Sequence, residues 1–334
     1  MGGLRKAPGG FIDRSGEPGT GVGGLRRAPG GFIDRSGEPG TGVGGLRKAP
    51  GAPLVDATGV ALALLRSPAR IVSLIPSTTE LLCHLGLADA LVGVTVYCRE
   101  PADLLRGKPR IGGEKNPDLE RLRALAPDLV IANVEENVRD HVETLRAWGI
   151  PVWVTYPRTV AGAIAMIREL GEVTATAGRA GALADELASL LERARRSAPG
   201  RPPARVFYAI WRDPYMTINA DTYIHDVLAV CGATNVFADA AERYPAVTLE
   251  EVAARHPEVV LLPDEPFRFR RVHVKDFAPY AEAPAVRDGR IHLVDGKPFS
   301  WHGPRLAGAL RTLPELFMPT VGMGSPLRRG SPRR

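Results

Sequence analysis

The sequence predicts an α/β fold in which two similar doubly wound lobes are joined by a single long helix. Short apolar strands alternate with helical patterns on both sides of a long amphipathic segment, which is typical of parallel sheets covered by helices. A helix, a proline, an acid and an apolar strand follow one another at residues 119–131 and again at residues 249–261. Two copies of one unit in 334 residues indicate two lobes with a ligand-binding cleft between them.

The first lobe is predicted over residues 52–158. Its strands are predicted at residues 70–74, 91–94, 128–132 and 151–154, and its last helix at residues 138–148. Two other helix starts carry capping signals. Ser77 and Glu80 have the spacing of a capping box, and Asn116 is predicted to cap a helix whose first residue is Pro117.

A helical linker is predicted over residues 159–202. Its longer helix, at residues 175–196, places Leu183, Leu187 and Leu190 on one face. At 1.5 Å per residue this helix spans roughly 33 Å, which is enough to bridge two lobes. The second lobe is predicted over residues 203–318. Its strands are predicted at residues 205–210, 258–262 and 290–294, and its helices near residues 224–231, 249–255 and 304–313.

The two ends of the chain differ from the middle in composition. Residues 1–51 repeat a Gly- and Pro-rich unit with a period of 21 residues, and residues 319–334 are rich in Pro, Gly and Arg. Such segments bury too little apolar surface to offset their ordering entropy. We therefore predict that both ends are disordered.

The net charge of +6 belongs to these ends. Residues 1–51 contain eight Lys or Arg and four Asp or Glu, and residues 319–334 contain four Arg and no acid, so residues 52–318 carry a net charge of −2. A nucleic-acid-binding fold needs a basic surface. We therefore expect no nucleic-acid partner.

Cysteine spacing and hydropathy limit the class further. Cys83, Cys98 and Cys231 are widely spaced and form no zinc-binding pattern, so we expect no metal site and no need for an oxidising compartment. No apolar run has the length of a membrane span, and no signal-peptide core precedes the fold. This absence favours a cytoplasmic location.

The sequence motifs give little support for an enzyme. The sequence has neither a phosphate-binding glycine loop nor a nucleophile elbow. The adjacent acids Glu135 and Glu136 are suited to acid–base catalysis, but no nucleophile or metal set accompanies them. We therefore expect a binding protein without catalytic activity.

Three stretches, at residues 70–80, 112–120 and 127–130, resemble the class III substrate-binding proteins of ABC importers, and are most similar to the cobalamin-binding members. The resemblance extends from about Val55 to Phe317. It implies a chelatase-like receptor with two lobes on one helical backbone, small closure movements and a largely preformed cleft for a cobalamin-like corrinoid, a siderophore or haem. It also implies an extracytoplasmic monomer, no covalent cofactor, and an ABC permease with its ATPase as partner.

Glu120 and Glu250 occupy equivalent positions in the two repeated units. In the family, one exposed glutamate per lobe docks onto arginines of the permease, so the resemblance implies this role here. Thr248 and Glu251 have capping-box spacing, which leaves Glu250 free to point outward. Acids in the first turn of a helix also favour the helix dipole and need no partner, so this alternative stays open.

Loops after the strands are expected to line the cleft. Their aromatic residues offer flat apolar surface to a macrocycle, and their polar residues can bind its edge. The predicted ligand-binding residues are Tyr97, Glu114, Asn133, Glu135, Glu136, Asn137, Trp211, Tyr215, Tyr244, Trp301, His302 and Arg305. The resemblance places Tyr97, Asn137 and Tyr244 at contact positions. Glu114 replaces a tryptophan of the family, and the glutamates make this cleft more charged than a corrinoid requires.

Two alternatives remain open at this stage. His302 or Cys98 can ligate a corrinoid cobalt or haem iron, although a loop histidine is more often a surface donor. The chain can also be a cytoplasmic corrinoid or metal-chelate sensor or carrier without a permease. The missing signal peptide and the unpaired cysteines favour that second role, whereas Glu120 and Glu250 favour the importer.

Overall fold

The computed structural model describes residues 54–62, 66–197 and 202–318 and confirms the α/β fold class. Two separate four-stranded parallel sheets form its centre. The disorder predicted for residues 1–51 and 319–334 lies outside the described residues. Among the described helices, none combines the length and the apolar character needed to cross a membrane.

The first lobe is a parallel sheet with helices on its faces. Its elements are β1 (Leu54–Val55), β2 (Ala61–Leu62), β3 (Ile71–Ser73), α1 (Pro76–His84), β4 (Leu91–Val94), α2 (Leu119–Ala124), β5 (Leu129–Asn133), α3 (Arg139–Ala147) and β6 (Val152–Thr155). The sheet order is β4-β3-β5-β6, and β1 pairs with β2 in an antiparallel ribbon. β3 and β5 are buried along their whole length, because helices cover both faces of a parallel sheet.

The second lobe repeats this plan. Its elements are β7 (Ala204–Tyr208), β8 (Tyr215–Met216), α6 (Tyr223–Val230), β9 (Ala233–Asn235), β10 (Ala246–Val247), α7 (Leu249–Ala254), β11 (Val259–Pro263), α8 (Arg271–Val274), a 3-10 helix (Lys275–Tyr280), α9 (Pro284–Arg287), β12 (Ile291–Val294), α10 (Lys297–Ser300) and α11 (Arg305–Leu316). The sheet order is β9-β7-β11-β12. In both lobes the first strand of the sheet therefore lies between the second and the third.

Two helices connect the lobes, α4 (Val160–Val173) and α5 (Ala177–Ser197). They pack closely, since a Cβ atom added at Gly171 of α4 would lie only 2.3 Å from the Cβ atom of Ala180. α5 contacts both lobes. Its Arg179 donates a hydrogen bond to the carbonyl of Leu85 over 2.8 Å, and its Glu186 pairs with Arg311 of α11 at 2.6 Å. At 21 residues this helix is roughly 31 Å long.

The repeated unit forms the same contacts in both lobes. Arg70 donates to two carbonyls at the end of α2 over 2.5 and 3.0 Å, and Arg205 does the same at the end of α7 over 2.6 and 3.4 Å. The acid after each proline accepts the backbone N–H of that arginine over 2.9 Å, Asp128 in the first lobe and Glu258 in the second. Each pair fixes a helix end against the sheet.

Two capping predictions are wrong, and one is confirmed. α1 begins directly at Pro76 without a side-chain cap, because Ser77 is buried inside the helix. Asp118, not Asn116, caps α2 by accepting the N–H of Arg121 over 2.9 Å. The capping box predicted at the start of α7 is present.

Several short elements of the second lobe were not predicted. These are β8, β9, β10, α8, the 3-10 helix, α9 and α10. Each has two to six residues, which is too short for a hydrophobic period to become visible.

Candidate ligand-binding cleft

Loops that follow the strands of one sheet meet loops that follow the strands of the other, and we call the space between them the cleft. Glu135, after β5, contacts Tyr244, which follows β9. Tyr156, after β6, contacts Arg243. Both sheets thus direct their carboxyl ends toward the cleft, where parallel α/β sheets bind ligands.

The loop after β5 is shaped by two buried asparagines. The side-chain oxygen of Asn133 accepts the backbone N–H of Glu135 over 2.8 Å, and that of Asn137 accepts the N–H of Asn133 over 2.8 Å. The amide of Asn137 also donates to the carbonyl of Glu114 over 3.1 Å. Both asparagine side chains are buried, so the structure uses them to hold the loop that presents Glu135 and Glu136.

Glu135 links the lobes. Its Oε1 accepts a hydrogen bond from the Tyr244 hydroxyl over 3.0 Å and lies 2.6 Å from Nη2 of Arg243. Nη1 of the same arginine donates to the Tyr156 hydroxyl over 2.5 Å, and its Nε lies 3.4 Å from Asp221. One carboxylate of the predicted Glu135 and Glu136 pair is therefore already neutralised across the cleft.

Three other glutamates share the cleft without such neutralisation. Burial and the charge of Glu136 raise the pKa of Glu114 to about 8, against the opposing charge of Lys115, and Glu265 of the second lobe adds to the rise. Burial also raises the pKa of Glu136 and brings that of Glu265 to about 7. The Glu136 side chain is nevertheless accessible to solvent.

Trp301 lies beside one of these glutamates. It lies close enough to Glu265 to lower the pKa of that carboxyl, against the larger effect of burial, and two cations approach its ring. Nζ of Lys297 lies 5.9 Å from the ring centroid and Cζ of Arg305 lies 5.0 Å from it. Trp301 is half-buried, so part of its surface stays open to a ligand.

Arg305 is committed to contacts between the lobes. Its guanidinium lies 2.8 Å from Glu80 of α1 and also pairs with Glu100, both from the first lobe. Lys297 adds a contact of 3.4 Å to Glu100. The sequence predicted a ligand contact for Arg305, whereas the structure shows its donors held by two carboxylates.

The predicted aromatic residues divide into exposed and buried groups. Tyr97 is 54% exposed and is the most accessible of them. Trp211 is buried and packs edge-on against Phe267 at 5.4 Å between ring centroids. Tyr215 is also buried, and its hydroxyl donates to Asp276 over 2.7 Å. The structure therefore gives Trp211 and Tyr215 internal packing partners.

His302 is partly exposed, whereas Cys98 is enclosed. The His302 ring lies 4.3 Å from the ring of Tyr223, and burial lowers the pKa of His302 to about 4, so the imidazole is neutral. Cys98 is fully buried, its sulfur lies 3.1 Å from the hydroxyls of both Thr79 and Thr95, and burial raises its pKa. Within residues 54–62, 66–197 and 202–318 no group of three or more His, Cys, Asp or Glu is placed to hold a metal ion.

Comparison with known proteins identifies the family. The Periplasmic binding protein family profile matches residues 71–298 of this chain. The chain belongs to this family. The match covers both sheets and the helices that connect them.

Proteins similar to this chain include vitamin B12-binding and heme-binding proteins. The vitamin B12-binding protein of Yersinia pestis (strain Pestoides F) is 30% identical over 215 residues, which cover 63% of this chain and 76% of the relative. The periplasmic heme-binding protein RhuT of Roseiflexus sp. RS-1 is 26% identical with a TM-score of 0.66, covering 75% of this chain and 98% of RhuT. The vitamin B12-binding protein BtuF of Vibrio cholerae shares the fold, with a TM-score of 0.67 and 24% identity over 75% of this chain and 96% of BtuF.

The two glutamates predicted for docking lie at matching positions in the two lobes. Glu120 lies in the first turn of α2 and Glu250 in the first turn of α7, and both are exposed. Glu251 folds back to accept the N–H of Thr248 over 2.7 Å, which leaves Glu250 pointing elsewhere. The docking role itself stays a prediction.

Sequence reasoning missed Arg243, Glu265 and Lys297. Each lies in a loop or short helix that follows a strand of the second lobe, which is the position from which the other cleft residues were chosen. Arg243 directly precedes Tyr244, and its position in a loop after a strand is the signal that could have identified it.

Proposed function

We propose that this protein captures a corrinoid or haem-type ligand in the cleft and delivers it to an ABC importer. The observation that carries the proposal is its 30% identity to a vitamin B12-binding protein over 76% of that protein's length. Family membership supports ligand capture without catalysis, and the periplasmic relatives support an extracytoplasmic site of action.

The geometry of the cleft supports a large, flat ligand. Tyr97 offers an exposed ring from the first lobe and Trp301 a half-open ring from the second. Residues 54–158 and 203–318 are proposed to act as the two lobes. The two lobes contact each other at Glu135 and at Arg305, so little ordering cost is expected on binding.

Gel filtration tests the proposal directly. Purified protein mixed with cyanocobalamin or haemin should elute with the absorbance of one of these ligands. Tyr97→Ala should weaken this retention, because it removes an exposed ring from the cleft. Tyr280→Ala is the matched control, since Tyr280 lies beside the end of α7, away from the carboxyl ends of the strands. Colourless fractions with both ligands would contradict the proposal.

The docking function is proposed for Glu120 and Glu250 together. Replacing both by Ala should abolish vitamin uptake in cells that depend on this protein and a corrinoid permease. Ligand binding by the purified variant should be unchanged, because both residues lie at helix starts that precede the strands. Glu282→Ala, at another exposed acid, should leave uptake intact. Normal uptake in the double variant would remove the two glutamates from docking.

A further inference from the structure

We propose that the second lobe binds the surface of a membrane that contains anionic phospholipids. The binding surface is a basic ridge, which we define by the exposed side chains of Arg268, Arg270, Arg271, Val272 and Lys275. Residues 268–275 contain three Arg, one Lys and no acid, whereas residues 52–318 together carry a net charge of −2. Positive charge is therefore concentrated in this one segment of the fold.

Aromatic side chains fix the first half of the basic ridge from the inside. The ring of Phe267 packs edge-on against Trp211 at 5.4 Å between centroids, and Phe269 is buried. Side chains alternate between the two sides of an extended segment. Arg268 and Arg270 alternate with the two phenylalanines and are exposed, so they point away from the aromatic layer.

The second half of the basic ridge is α8 with the first residue of the 3-10 helix. Its inner side is formed by His273, which lies 5.5 and 5.7 Å from the rings of the two phenylalanines, and by the buried Phe277. Residues four apart share a face of a helix, so Arg271 and Lys275 lie together on the outer side. Between them, Val272 is 59% exposed, more than any other large apolar side chain in the described part of the chain.

The charges of the basic ridge are not neutralised by neighbouring acids. Within residues 54–62, 66–197 and 202–318, none of its four cations forms an ion pair. The two acids of the same region, Asp213 and Asp276, pair with Arg212 instead, at 2.5 and 2.7 Å. All four cations are therefore available to an anionic surface.

The basic ridge lies at the same edge of the second sheet as Glu250. Arg205, near the amino end of β7, donates to two carbonyls at the end of α7, so α7 begins, with Glu250, at the carboxyl edge. The N–H of Phe269 donates to the carbonyl of Pro263, the last residue of β11, over 3.1 Å, which places the ridge at this edge too. Resting on the function proposed above, in which Glu250 docks onto a permease, this edge faces the membrane.

A bilayer surface suits the basic ridge better than a single acidic protein does. Each Lys or Arg near an anionic leaflet strengthens binding by about fivefold, and the anions need no fixed arrangement. An exposed apolar side chain such as Val272 can enter the boundary between headgroups and acyl chains. The equivalent loop of the first lobe, residues 134–138, contains two acids and no Lys or Arg, so we expect the membrane to attract the second lobe alone.

Co-sedimentation of the full chain with lipid vesicles tests the proposal. The protein should bind vesicles of equal parts phosphatidylglycerol and phosphatidylcholine at least about 100-fold more tightly than vesicles of phosphatidylcholine alone. This binding should weaken as the salt concentration rises. Equal binding to both kinds of vesicle would overturn the proposal.

Paired glutamine variants assign the binding to the basic ridge. Arg268→Gln/Arg271→Gln should weaken binding to the anionic vesicles by about 25-fold, because each lost charge costs about fivefold. Arg270→Gln/Lys275→Gln should have the same effect, and circular dichroism checks the fold of both. The matched control, Arg66→Gln/Arg196→Gln, removes two exposed charges elsewhere and should stay within about twofold of the natural protein. Equal losses in the control and in the ridge variants would show that net charge alone causes the binding, and would overturn the proposal.

Val272→Ser separates a bilayer from an acidic polypeptide. The variant should bind the anionic vesicles about threefold more weakly, because it loses an apolar contact with the bilayer. Soluble polyglutamate should compete poorly with the vesicles. Effective competition together with unchanged binding of Val272→Ser would show that the basic ridge recognises an acidic polypeptide, and would overturn the proposal. The vesicle assay contains neither corrinoid nor permease, so its failure would leave the receptor function in place.

Discussion

In the first lobe the sheet order is β4-β3-β5-β6, and in the second the equivalent strands run β9-β7-β11-β12. Arg70 and Arg205 hold the same helix end in each. The lobes differ in what they present to the cleft. In the ion pairs at Glu80, Glu100 and Glu135 the first lobe contributes the carboxylate and the second the arginine, whereas Arg158 of the first lobe pairs with Asp221 of the second. The repeated backbone is thus a common scaffold, and the loops after its strands give each lobe its own charge.

The charge difference implies that the lobes hold each other through Arg305. Arg305→Ala leaves the half-buried carboxylate of Glu80 without its partner, so we expect the free energy of unfolding to fall by about 2 kcal/mol, discounted from the 3–5 kcal/mol of a fully buried pair. Urea denaturation measures this change. Arg311→Ala, in the same helix with an exposed partner, should cost less than about 0.5 kcal/mol. Equal losses of unfolding free energy in the two variants would show that the ion pairs of Arg305 contribute no more than an exposed surface ion pair.

Two asparagines at the ends of non-equivalent strands, Asn133 of β5 and Asn235 of β9, sharpen the comparison. Asn133 accepts the N–H of Glu135, and Asn235 accepts the N–H of Phe237 over 3.0 Å. Replacing either asparagine by Ala leaves a backbone N–H group without its hydrogen-bond acceptor. We expect each change to lower the free energy of unfolding by about 1–2 kcal/mol in thermal or chemical denaturation. Asn133→Ala should also weaken ligand binding more than Asn235→Ala, because Glu135 and Glu136 lie two and three residues after Asn133, whereas Tyr244 lies nine residues after Asn235. Equally weakened binding in both variants would mean that the effect is general destabilisation.

Glu114 makes stability depend on pH. Its folded pKa of about 8 lies above its ordinary value, so the folded chain binds this proton more tightly than the unfolded chain. The free energy of unfolding should therefore decrease as pH rises from about 4.5 through about 8. After allowance for solvent screening, Glu114→Gln should be more stable than the natural protein by about 1–2 kcal/mol at pH 8.5. The two should be equal near pH 4.5.

The control for this pH effect is Glu282→Gln, at an exposed position. Its stability should follow that of the natural protein at every pH. If the unfolding free energies of Glu114→Gln and the natural protein changed with pH in parallel, Glu114 would be ionised and well solvated in the folded state.

The smallest expected effect tests the shared scaffold. Arg70→Ala and Arg205→Ala each remove hydrogen bonds to helix-end carbonyls in exposed positions. Each should lower the free energy of unfolding by about 1 kcal/mol, and the two losses should match within about 0.5 kcal/mol. Unequal losses in urea denaturation would show that the repeated contacts do not support the two lobes equally.

Long apolar periods and the repeated unit made the fold predictable. β4 and the start of α7 lie where the sequence placed them, because a buried strand and a capping box are local signals. Asn116 failed as a cap because an equally good capping residue, Asp118, lies two positions later. Short elements such as β9 depend on tertiary pairing and leave no period in the sequence.

The site was harder to predict than the fold. Sequence position identified loops after the strands, and the structure brings Glu135 and Tyr244 from those loops into contact. Sequence position could not distinguish side chains that face the cleft from side chains that hold the surrounding loops in place. Asn137 and Tyr215 have the composition of ligand contacts but are buried in internal hydrogen bonds, and only three-dimensional packing distinguishes the two cases.

Hydrogen–deuterium exchange with and without cyanocobalamin tests most directly whether a ligand is held by both lobes. The account predicts slower exchange in the loops at residues 95–98 and 133–137 of the first lobe and at residues 264–267 and 299–303 of the second. Exchange at the amino ends of the strands should not change. Protection confined to one lobe, or none at saturating ligand, would contradict capture in the cleft.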